Sequence, residues 1–334
     1  MRIKVRKPDD FHVHLREWPA MEYYVQEMAH EFARAIVMPN TKPAILTAED
    51  AVRYRGEILK AAQRSAFKPL MTIKLGKRTT QGIILAAKAV DVLAGKFYPE
   101  GTTTNADGGL SSLKEMVDVL KAMEMCGMLL LVHAEHPKAF CLDREERFIE
   151  EIVWAAETFP RLKIVVEHVT SAKMVEAVKG LRDGVAATIT AHHLILTLDD
   201  VVGGLIRPHH FCKPLAKRPE DRAALLEAVI SGNPRFFFGS DSAPHKKQAK
   251  ECAEGCAGIY TTPVAMSVLA DIFHSHDALD KLEDFTSRFG AEFYGLPLND
   301  SFLTLGQESW MVKHGYFGVV PFMAGKQLKW RVIR

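Results

Sequence analysis

Four histidines and an aspartate stand out because each lies at the end of a short apolar segment. His12 and His14 lie in Phe-His-Val-His-Leu, so on a strand both imidazoles would project from the same face. His133 and His168 end two later apolar runs, and Asp241 follows Phe-Phe-Phe-Gly-Ser. Imidazoles with a carboxylate suit a divalent cation of borderline softness such as Zn²⁺. The carboxylate could also carry a proton to and from water on that metal.

Lys96 has a comparable place, in Gly-Lys-Phe-Tyr-Pro near the end of another apolar run. A buried lysine readily loses its proton. The neutral amine can then react with carbon dioxide to give a carbamate, an anion with two oxygens that can bridge two metals. The alternative is a lysine that extends its ammonium group to solvent.

Each of these residues also has an ordinary structural explanation. A lone histidine at a strand end is more often a packed or surface residue than a ligand. Asp241 could cap the next helix, although the nearby Pro244 argues against this. Their common position at strand ends is what favours one shared site.

The elements that must position these residues follow from the hydrophobic pattern. Eight short apolar runs predict strands at 11–15, 33–39, 70–75, 92–99, 128–135, 164–169, 185–190 and 236–240. Periodic segments between them predict helices at 47–64, 79–90, 111–125, 143–158, 171–181 and 219–231.

Strands that alternate with helices indicate parallel βαβ units, and the run 128–132 is apolar throughout, as in a sheet buried on both faces. Eight strands are the number found in a closed (β/α)8 TIM-type barrel. An open doubly wound sheet is the alternative that the pattern alone leaves open. In such a barrel the active site forms at the carboxyl ends of the strands. We expect one domain over 1–334, with the barrel at about 8–276 and an extension at about 277–334 that holds a helix near 284–294 and an irregular end.

Composition excludes several other classes of protein. The chain has 334 residues and a net charge of +2, with no basic stripe, so we expect no nucleic-acid partner. No apolar run approaches the roughly 18 residues of a membrane span. The start lacks the apolar core of a signal peptide, and five scattered cysteines fit a reduced, cytoplasmic protein. Cys252 and Cys256 lack a second pair, which argues against a zinc knuckle.

Several longer motifs resemble one family. The His-x-His pair, the strand-four lysine, two later histidines and an aspartate after strand eight are similar to the amidohydrolase superfamily. Within it, the chain resembles the short bacterial dihydroorotases of pyrimidine biosynthesis, through motifs at 6–16, 35–40, 102–105, 143–150, 203–209, 239–245, 255–258 and 293–297. Only eleven residues precede His12, so we expect no N-terminal β-sandwich of the kind that related hydantoinases carry.

This resemblance implies a binuclear zinc site. One metal would be held by His12, His14 and Asp241, and the other by His133 and His168, with carboxylated Lys96 and a hydroxide as bridges. Two Zn²⁺ ions carry about +4, and Asp241, the carbamate and the hydroxide carry about −3, which leaves about +1 for an anionic substrate.

The resemblance also implies the substrate contacts. Arg16, Asn40 and His245 would hold the substrate carboxylate, with His14 beside them. Thr103 and Thr104 would close over the substrate as part of a mobile lid at 100–109. Main-chain contacts would come from positions occupied by Lys213 and Ala257, and Lys213 replaces the leucine of the best-known family members.

The implied activity is the reversible cyclisation of N-carbamoyl-L-aspartate to L-dihydroorotate, with Asp241 as the proton carrier and a homodimer as the assembly. Two alternatives stay open: another cyclic amidohydrolase of the hydantoinase or dihydropyrimidinase type, and a non-catalytic barrel that serves as a scaffold. The adjacent pair His192 and His193 is interpreted as structural, since neighbours on a strand point to opposite faces.

Overall fold

A computed structural model describes residues 1–103 and 109–333 of the chain. Its strands are β1 (Arg2–Arg6), β2 (Asp9–Val13), β3 (Arg34–Val37), β4 (Lys68–Lys74), β5 (Ala94–Phe97), β6 (Leu129–Val132), β7 (Ile164–Val166), β8 (Val185–Ile189), β9 (Phe236–Phe238), β10 (Phe302–Gly306), β11 (Trp310–Met311), β12 (Gln327–Leu328) and β13 (Arg331–Ile333).

Helices separate most of these strands. The α-helices are α1 (Ala20–Glu31), α2 (Ala48–Ala61), α3 (Gln81–Ala89), α4 (Val117–Cys126), α5 (Ile149–Thr158), α6 (Ala172–Gly180), α7 (Asp199–Val202), α8 (Pro219–Ile230), α9 (Lys247–Lys250), α10 (Ala265–Ser275) and α11 (Phe289–Tyr294). Short 3-10 turns lie at Leu113–Met116, Glu146–Phe148, Pro208–His210, Thr262–Val264 and Leu279–Lys281, and a π-helical turn lies at Asp284–Arg288.

The strands β2 to β9 form one eight-stranded sheet in sequence order, and each strand is parallel to the next. The two ends of the sheet meet beyond β2 and β9. There the Asp241 amide donates to the His12 carbonyl at 2.9 Å, and the His14 amide donates to the Ser242 carbonyl at 3.0 Å. The sheet therefore closes into a (β/α)8 barrel, which confirms the predicted fold class over the open sheet.

The barrel interior explains why the strands are apolar at every position. A cluster that includes Phe11 and Phe237 fills the inside, and the ring of Tyr294 from α11 stacks on Phe11 with centroids 5.1 Å apart. Helix α11 can approach this closely because residue 290 is glycine; a Cβ there would lie 2.1 Å from the Phe11 ring. This packing fixes the start of the strand that carries His12.

All eight predicted barrel strands and the six predicted helices are present; β2 and β4 begin two residues earlier than predicted, and the other six barrel strands are shorter than predicted. The sequence analysis did not predict α1 or α10. The apolar spacing of α1 is nevertheless helical, since the buried residues Met21, Tyr24, Val25 and Met28 share one face. In the part of the chain that the structure describes, no helix combines the length and apolar character that a membrane span requires.

The extension contains more regular structure than expected. Its predicted helix corresponds to the π-helical turn and α11, but the segment expected to be irregular holds β10 to β13. Strand β1 pairs antiparallel with β10, with Arg2 opposite Gly306, and β10 pairs with β13. These strands are short. Arg2 and its partner Gly306 are some 300 residues apart along the chain. Local sequence patterns do not record such pairing.

Candidate metal centre and active site

The carboxyl ends of the barrel strands surround one cavity. It is lined by residues from the ends of β2, β3, β5, β6, β7 and β9 and from the loops that follow, namely His12, His14, Arg16, Asn40, Tyr98, Thr103, His133, His168, Lys213, Asp241, Ala243, Ala257 and Gly258. Parallel strands bring their carboxyl ends to one edge, so residues more than 200 positions apart meet here. Most of the residues that the sequence predicted for the site therefore share one place.

His12, His14 and Asp241 form the first group of metal-type donors. Nε2 of His12 lies 3.3 Å from Oδ1 of Asp241, and Nε2 of His14 lies 3.1 Å from the same oxygen. One donor atom from each of the three lies within 4.8 Å of the others. Two imidazole nitrogens and a carboxylate oxygen at this spacing suit a single divalent cation.

His133, His168 and Lys96 form the second group. Nδ1 of His133 lies 3.2 Å from Nε2 of His168. Lys96 is not among the residues that line the cavity; it is fully buried below it, with Nζ 5.3 Å from the centre of the Tyr98 ring. Within residues 1–103 and 109–333, the Lys96 amine has no hydrogen-bond partner. A buried amine without a partner is costly, so this position is built for a further group.

The protonation states of His14, His168 and Asp241 fit a metal. Burial alone would lower the pKa of His12, but a neighbouring carboxylate raises that pKa above its usual value. Burial lowers the pKa of His14 to about 4, and burial with the nearby His133 holds the pKa of His168 well below its usual value. Burial alone would raise the pKa of Asp241, but hydrogen bonds from His12 and His14 hold that pKa well below its usual range. Neutral imidazoles and an ionised carboxylate are the forms that bind metals.

Backbone strain occurs at three residues of this site. Arg16, His168 and Asp241 have φ values of +61°, +43° and +44°, in the left-handed region that residues with a Cβ rarely adopt. Such conformations persist only where the surroundings over-determine them, and they cluster at functional sites. The strain supports the view that these three side chains are held in place for a purpose other than packing.

Two buried glutamates orient the histidines, and the sequence analysis missed both. Oε2 of Glu167 lies 2.8 Å from Nδ1 of His12 and accepts a 2.6 Å hydrogen bond from the Thr188 hydroxyl. Oε2 of Glu135 lies 2.7 Å from Nε2 of His133. Each carboxylate fixes the tautomer of its imidazole and turns the other ring nitrogen towards the cavity. The only signal in the sequence was that each glutamate lies within two residues of a strand-end histidine.

Of the residues predicted to hold the substrate carboxylate, Arg16 and Asn40 line the cavity and His245 contacts Arg16. Nη2 of Arg16 lies 2.9 Å from Nε2 of His245, and Nε of Arg16 donates to the Pro244 carbonyl at 3.0 Å. Burial, with the neighbouring Arg16 charge, lowers the pKa of His245 to about 3, so that ring is a neutral acceptor. His245 is therefore joined to the cavity through Arg16.

The loops that carry Lys213 and Ala257 are tied to each other. The Gly258 amide donates to the Phe211 carbonyl at 2.9 Å, and buried Lys250 donates to both the Phe211 and Gly258 carbonyls. These bonds hold together the two loops that line the cavity through Lys213, Ala257 and Gly258. The sequence analysis did not predict this role for Lys250. Thr103 lines the cavity, whereas Thr104 and the rest of the expected lid at 104–108 lie outside the described residues.

Comparison with known proteins identifies the family to which this chain belongs. The amidohydrolase family model matches residues 10–311. A dihydroorotase of Teredinibacter turnerae is 45% identical over 338 residues, which cover 99% of this chain and 98% of that protein. The chain belongs to the amidohydrolase family and, within it, to the dihydroorotases.

Solved dihydroorotase structures agree with this assignment. The dihydroorotase of Campylobacter jejuni matches with a TM-score of 0.92 and 39% identity, covering 100% of this chain and 98% of that one. The dihydroorotase of Saccharomyces cerevisiae, solved with 5-fluoroorotic acid, matches with a TM-score of 0.92 and 35% identity, covering 99% of this chain and 98% of that one. This chain is therefore a hydrolase of the amidohydrolase family. Enzymes of this family generally depend on metal ions, and the His12, His14 and Asp241 group offers suitable donors.

A second cluster of donors corrects one interpretation. Strand β8 ends at Ile189, so His192 and His193 lie in a turn, and their ring centroids are 4.4 Å apart rather than on opposite faces. With Cys212 they offer donor atoms within 4.8 Å of one another. However, the ring nitrogens of His193 already lie 2.9 Å from the Thr190 hydroxyl and 3.2 Å from the Pro214 carbonyl. For His193 the structural interpretation rests on those bonds and not on strand geometry, whereas Nε2 of His192 has no hydrogen-bond partner among the described residues.

Proposed function

We propose that this protein catalyses the reversible cyclisation of N-carbamoyl-L-aspartate to L-dihydroorotate and water. The observation that carries the proposal is the convergence of two groups of metal-type donors beside Arg16, inside one barrel mouth. The sequence of this chain places it among dihydroorotases, and the solved yeast relative holds 5-fluoroorotic acid, whose name denotes a carboxylic acid.

We propose two Zn²⁺ ions as the metals. His12, His14 and Asp241 would hold one ion, and His133 and His168 the other. When bound, zinc lowers the pKa of water to roughly 7 and polarises a carbonyl group, which supplies a nucleophile and an electrophile near neutral pH. The glutamates behind His12 and His133 support this proposal, because ligand histidines almost always carry such partners.

Lys96 is the proposed bridge, as an N6-carboxylysine. Burial lowers the pKa of Lys96 to about 8, so about a tenth of the amine is neutral at pH 7, far more than in an exposed lysine. That amine adds to carbon dioxide with loss of one proton, and the product is a carbamate anion. An anion at this buried, unpartnered position would complement two cations, whereas an ammonium group would repel them.

Asp241 is the proposed catalytic residue. Its low pKa keeps the carboxylate ready to accept a proton, and it faces the cavity between the histidine groups. In the hydrolytic direction Asp241 takes the proton of the attacking water and delivers it to the departing ring nitrogen. In the cyclising direction it removes the proton from the same nitrogen and returns it to the leaving water.

Arg16, Asn40 and His245 are the proposed grip on the substrate carboxylate, because a planar guanidinium binds a carboxylate through paired hydrogen bonds. His14 would lie against the same substrate. Thr103 with Thr104 would add side-chain contacts, and Lys213 with Ala257 would add contacts through the main chain.

We also propose that the enzyme works in the cytoplasm as a homodimer of single-domain chains. The five cysteines are all unpaired and lie within the described ranges, which supports a reducing compartment. The dimer and the single domain over 1–334 rest on the family resemblance and on the sequence.

Substrate charge separates this proposal from a hydantoinase. The purified enzyme should consume dihydroorotate much faster than uncharged hydantoin or dihydrouracil. The Arg16→Met variant should raise KM for dihydroorotate about 10- to 100-fold, since a hydrogen bond to a charged group contributes roughly 1.5–3 kcal/mol. Initial rates measured against substrate concentration give both results, with Arg53→Met on the half-exposed side of α2 as the control. Faster turnover of the uncharged rings would contradict the substrate assignment.

Metal content separates the proposal from a non-catalytic scaffold. Protein purified without added zinc should hold about two metal ions per chain, as a binuclear site requires. A chain with no bound metal and no turnover after zinc is added would support the scaffold instead.

The partner of His12 gives a sharper prediction. Glu167→Gln should weaken zinc binding about 10- to 100-fold, because the amide fixes the imidazole tautomer and basicity less well than the carboxylate does. Competition with a chromophoric chelator measures the affinity. Glu31→Gln, a buried acid on α1, is the matched control and should keep wild-type affinity. Equal affinities in all three proteins would rule out the orienting role of Glu167.

A further inference from the structure

A buried ion pair lies behind the cavity, outside the residues that line it. Nζ of Lys217 lies 3.2 Å from Oε2 of Glu145, and the two side chains are 2% and 1% exposed. Oε1 of Glu145 accepts a 2.9 Å hydrogen bond from the Thr170 amide, and Oε2 accepts one of 2.7 Å from the Thr170 hydroxyl. Lys217 also donates to that hydroxyl. Every member of this Glu145–Thr170–Lys217 triad is therefore bonded to the other two.

The triad joins three loops at the carboxyl edge of the barrel. Glu145 lies between β6 and α5, in the loop that begins at His133. Thr170 lies two residues after His168, between β7 and α6. Lys217 lies just before α8, on the segment that carries Lys213 past the cavity. Glu145 also belongs to the motif at 143–150, which no step of the proposed function uses.

Stability alone is a weak explanation for such a pair. Burying two charges costs desolvation energy that their attraction only partly offsets, and apolar replacements often serve stability as well or better. The triad has a more specific target in His168, whose φ of +43° must be held by its surroundings. Thr170 fixes the chain immediately after this residue through both its amide and its hydroxyl.

We propose that Glu145 and Lys217 are positioning residues. Through Thr170 they hold the imidazole of His168 against that of His133, where Nε2 and Nδ1 lie 3.2 Å apart. They thereby preorganise the second donor group for its cation. This inference rests on the metal-binding part of the proposed function.

The test compares two buried ion pairs at opposite ends of the barrel. Asp9 and Arg34, at the amino ends of β2 and β3, form a buried pair with Nε of Arg34 2.9 Å from Oδ1 of Asp9. The variants are Glu145→Gln, Lys217→Met and the charge-balanced double variant, with Asp9→Asn as the matched control. Zinc affinity comes from competition with a chromophoric chelator, kcat and KM from dihydroorotate consumption, and the folded fraction from circular dichroism.

Glu145→Gln and Lys217→Met should each weaken binding of the second zinc equivalent about 10- to 100-fold per folded molecule, as the loss of an orienting contact does at other metal sites. In these variants kcat should fall while KM changes less than about threefold. The double variant should regain stability, because no unpaired charge is left in the interior, but its zinc affinity should stay as weak as that of the single variants. Asp9→Asn should lose stability but keep wild-type zinc affinity.

Wild-type zinc affinity in folded Glu145→Gln and Lys217→Met would overturn the positioning role, and so would an equal loss in Asp9→Asn. The affinity readout does not depend on catalysis. A wild-type protein that binds two zinc ions but leaves dihydroorotate unchanged would therefore contradict the proposed substrate and leave the positioning role intact.

Discussion

The Lys96→Ala variant should lose its bound metal and at least about 10³-fold in kcat, which corresponds to roughly 4 kcal/mol of transition-state stabilisation. The side chain is fully buried and its amine has no hydrogen-bond partner among the described residues. Removing the lysine side chain would leave an empty space where the proposed carbamate bridges the two proposed cations. Metal analysis of the purified variant and the rate of dihydroorotate consumption measure the two effects.

Short carboxylic acids should partly restore Lys96→Ala, because acetate or propionate can fill the cavity and supply the two oxygens of the proposed carbamate. Lys74 is a suitable control, since it is buried on β4 and its Cα is the register partner of Lys96. Lys74→Ala should not respond to added acids. Full activity of Lys96→Ala without any acid would remove the bridge from the mechanism.

Asp241→Asn should lower kcat about 10²- to 10⁴-fold, which is the usual contribution of general acid–base catalysis. The amide keeps an oxygen near His12 and His14 but cannot accept and return a proton at neutral pH. KM and the affinity for dihydroorotate should change far less than kcat, because the proposed carboxylate grip lies with Arg16. Steady-state kinetics and equilibrium binding separate the two quantities. Loss of binding with unchanged turnover of bound substrate would make Asp241 a ligand without a proton-transfer role.

The barrel was predictable because each strand and helix shows its burial in its own hydrophobic pattern. A strand buried on both faces must be apolar throughout, and a helix on the outside must show a 3.6-residue pattern. Polar residues interrupt this pattern at strand ends, as His12, His133 and Asp241 do. In a barrel such residues are expected at the carboxyl edge of the strands. The structure brings them together around one cavity.

The parts that escaped prediction depend on contacts between distant segments. Glu167 reaches His12 across 155 positions, and Lys217 reaches Glu145 across 72. Nothing in the local sequence distinguishes these buried charges from ordinary surface charges. The pairing of β1 with β10 escaped prediction for the same reason, because the partner of a strand depends on the complete fold and not on the strand's own residues.

His192 and His193 show how an interpretation can rest on a wrong premise. The prediction placed them on a strand, where alternate residues face opposite ways. The chain leaves the strand at Ile189 and turns, so the two rings are neighbours. What ties His193 into the fold is the contact of one ring nitrogen with the Thr190 hydroxyl and of the other with the Pro214 carbonyl, which only the folded chain reveals.

The rate of dihydroorotate consumption by one preparation, measured as purified, after exhaustive chelation and after zinc is returned, tests the central claim most directly. We expect turnover in the first state, its loss in the second and its recovery as about two equivalents of Zn²⁺ per chain are added. Undiminished turnover by the metal-free protein, or none by the zinc-loaded protein, would contradict the account.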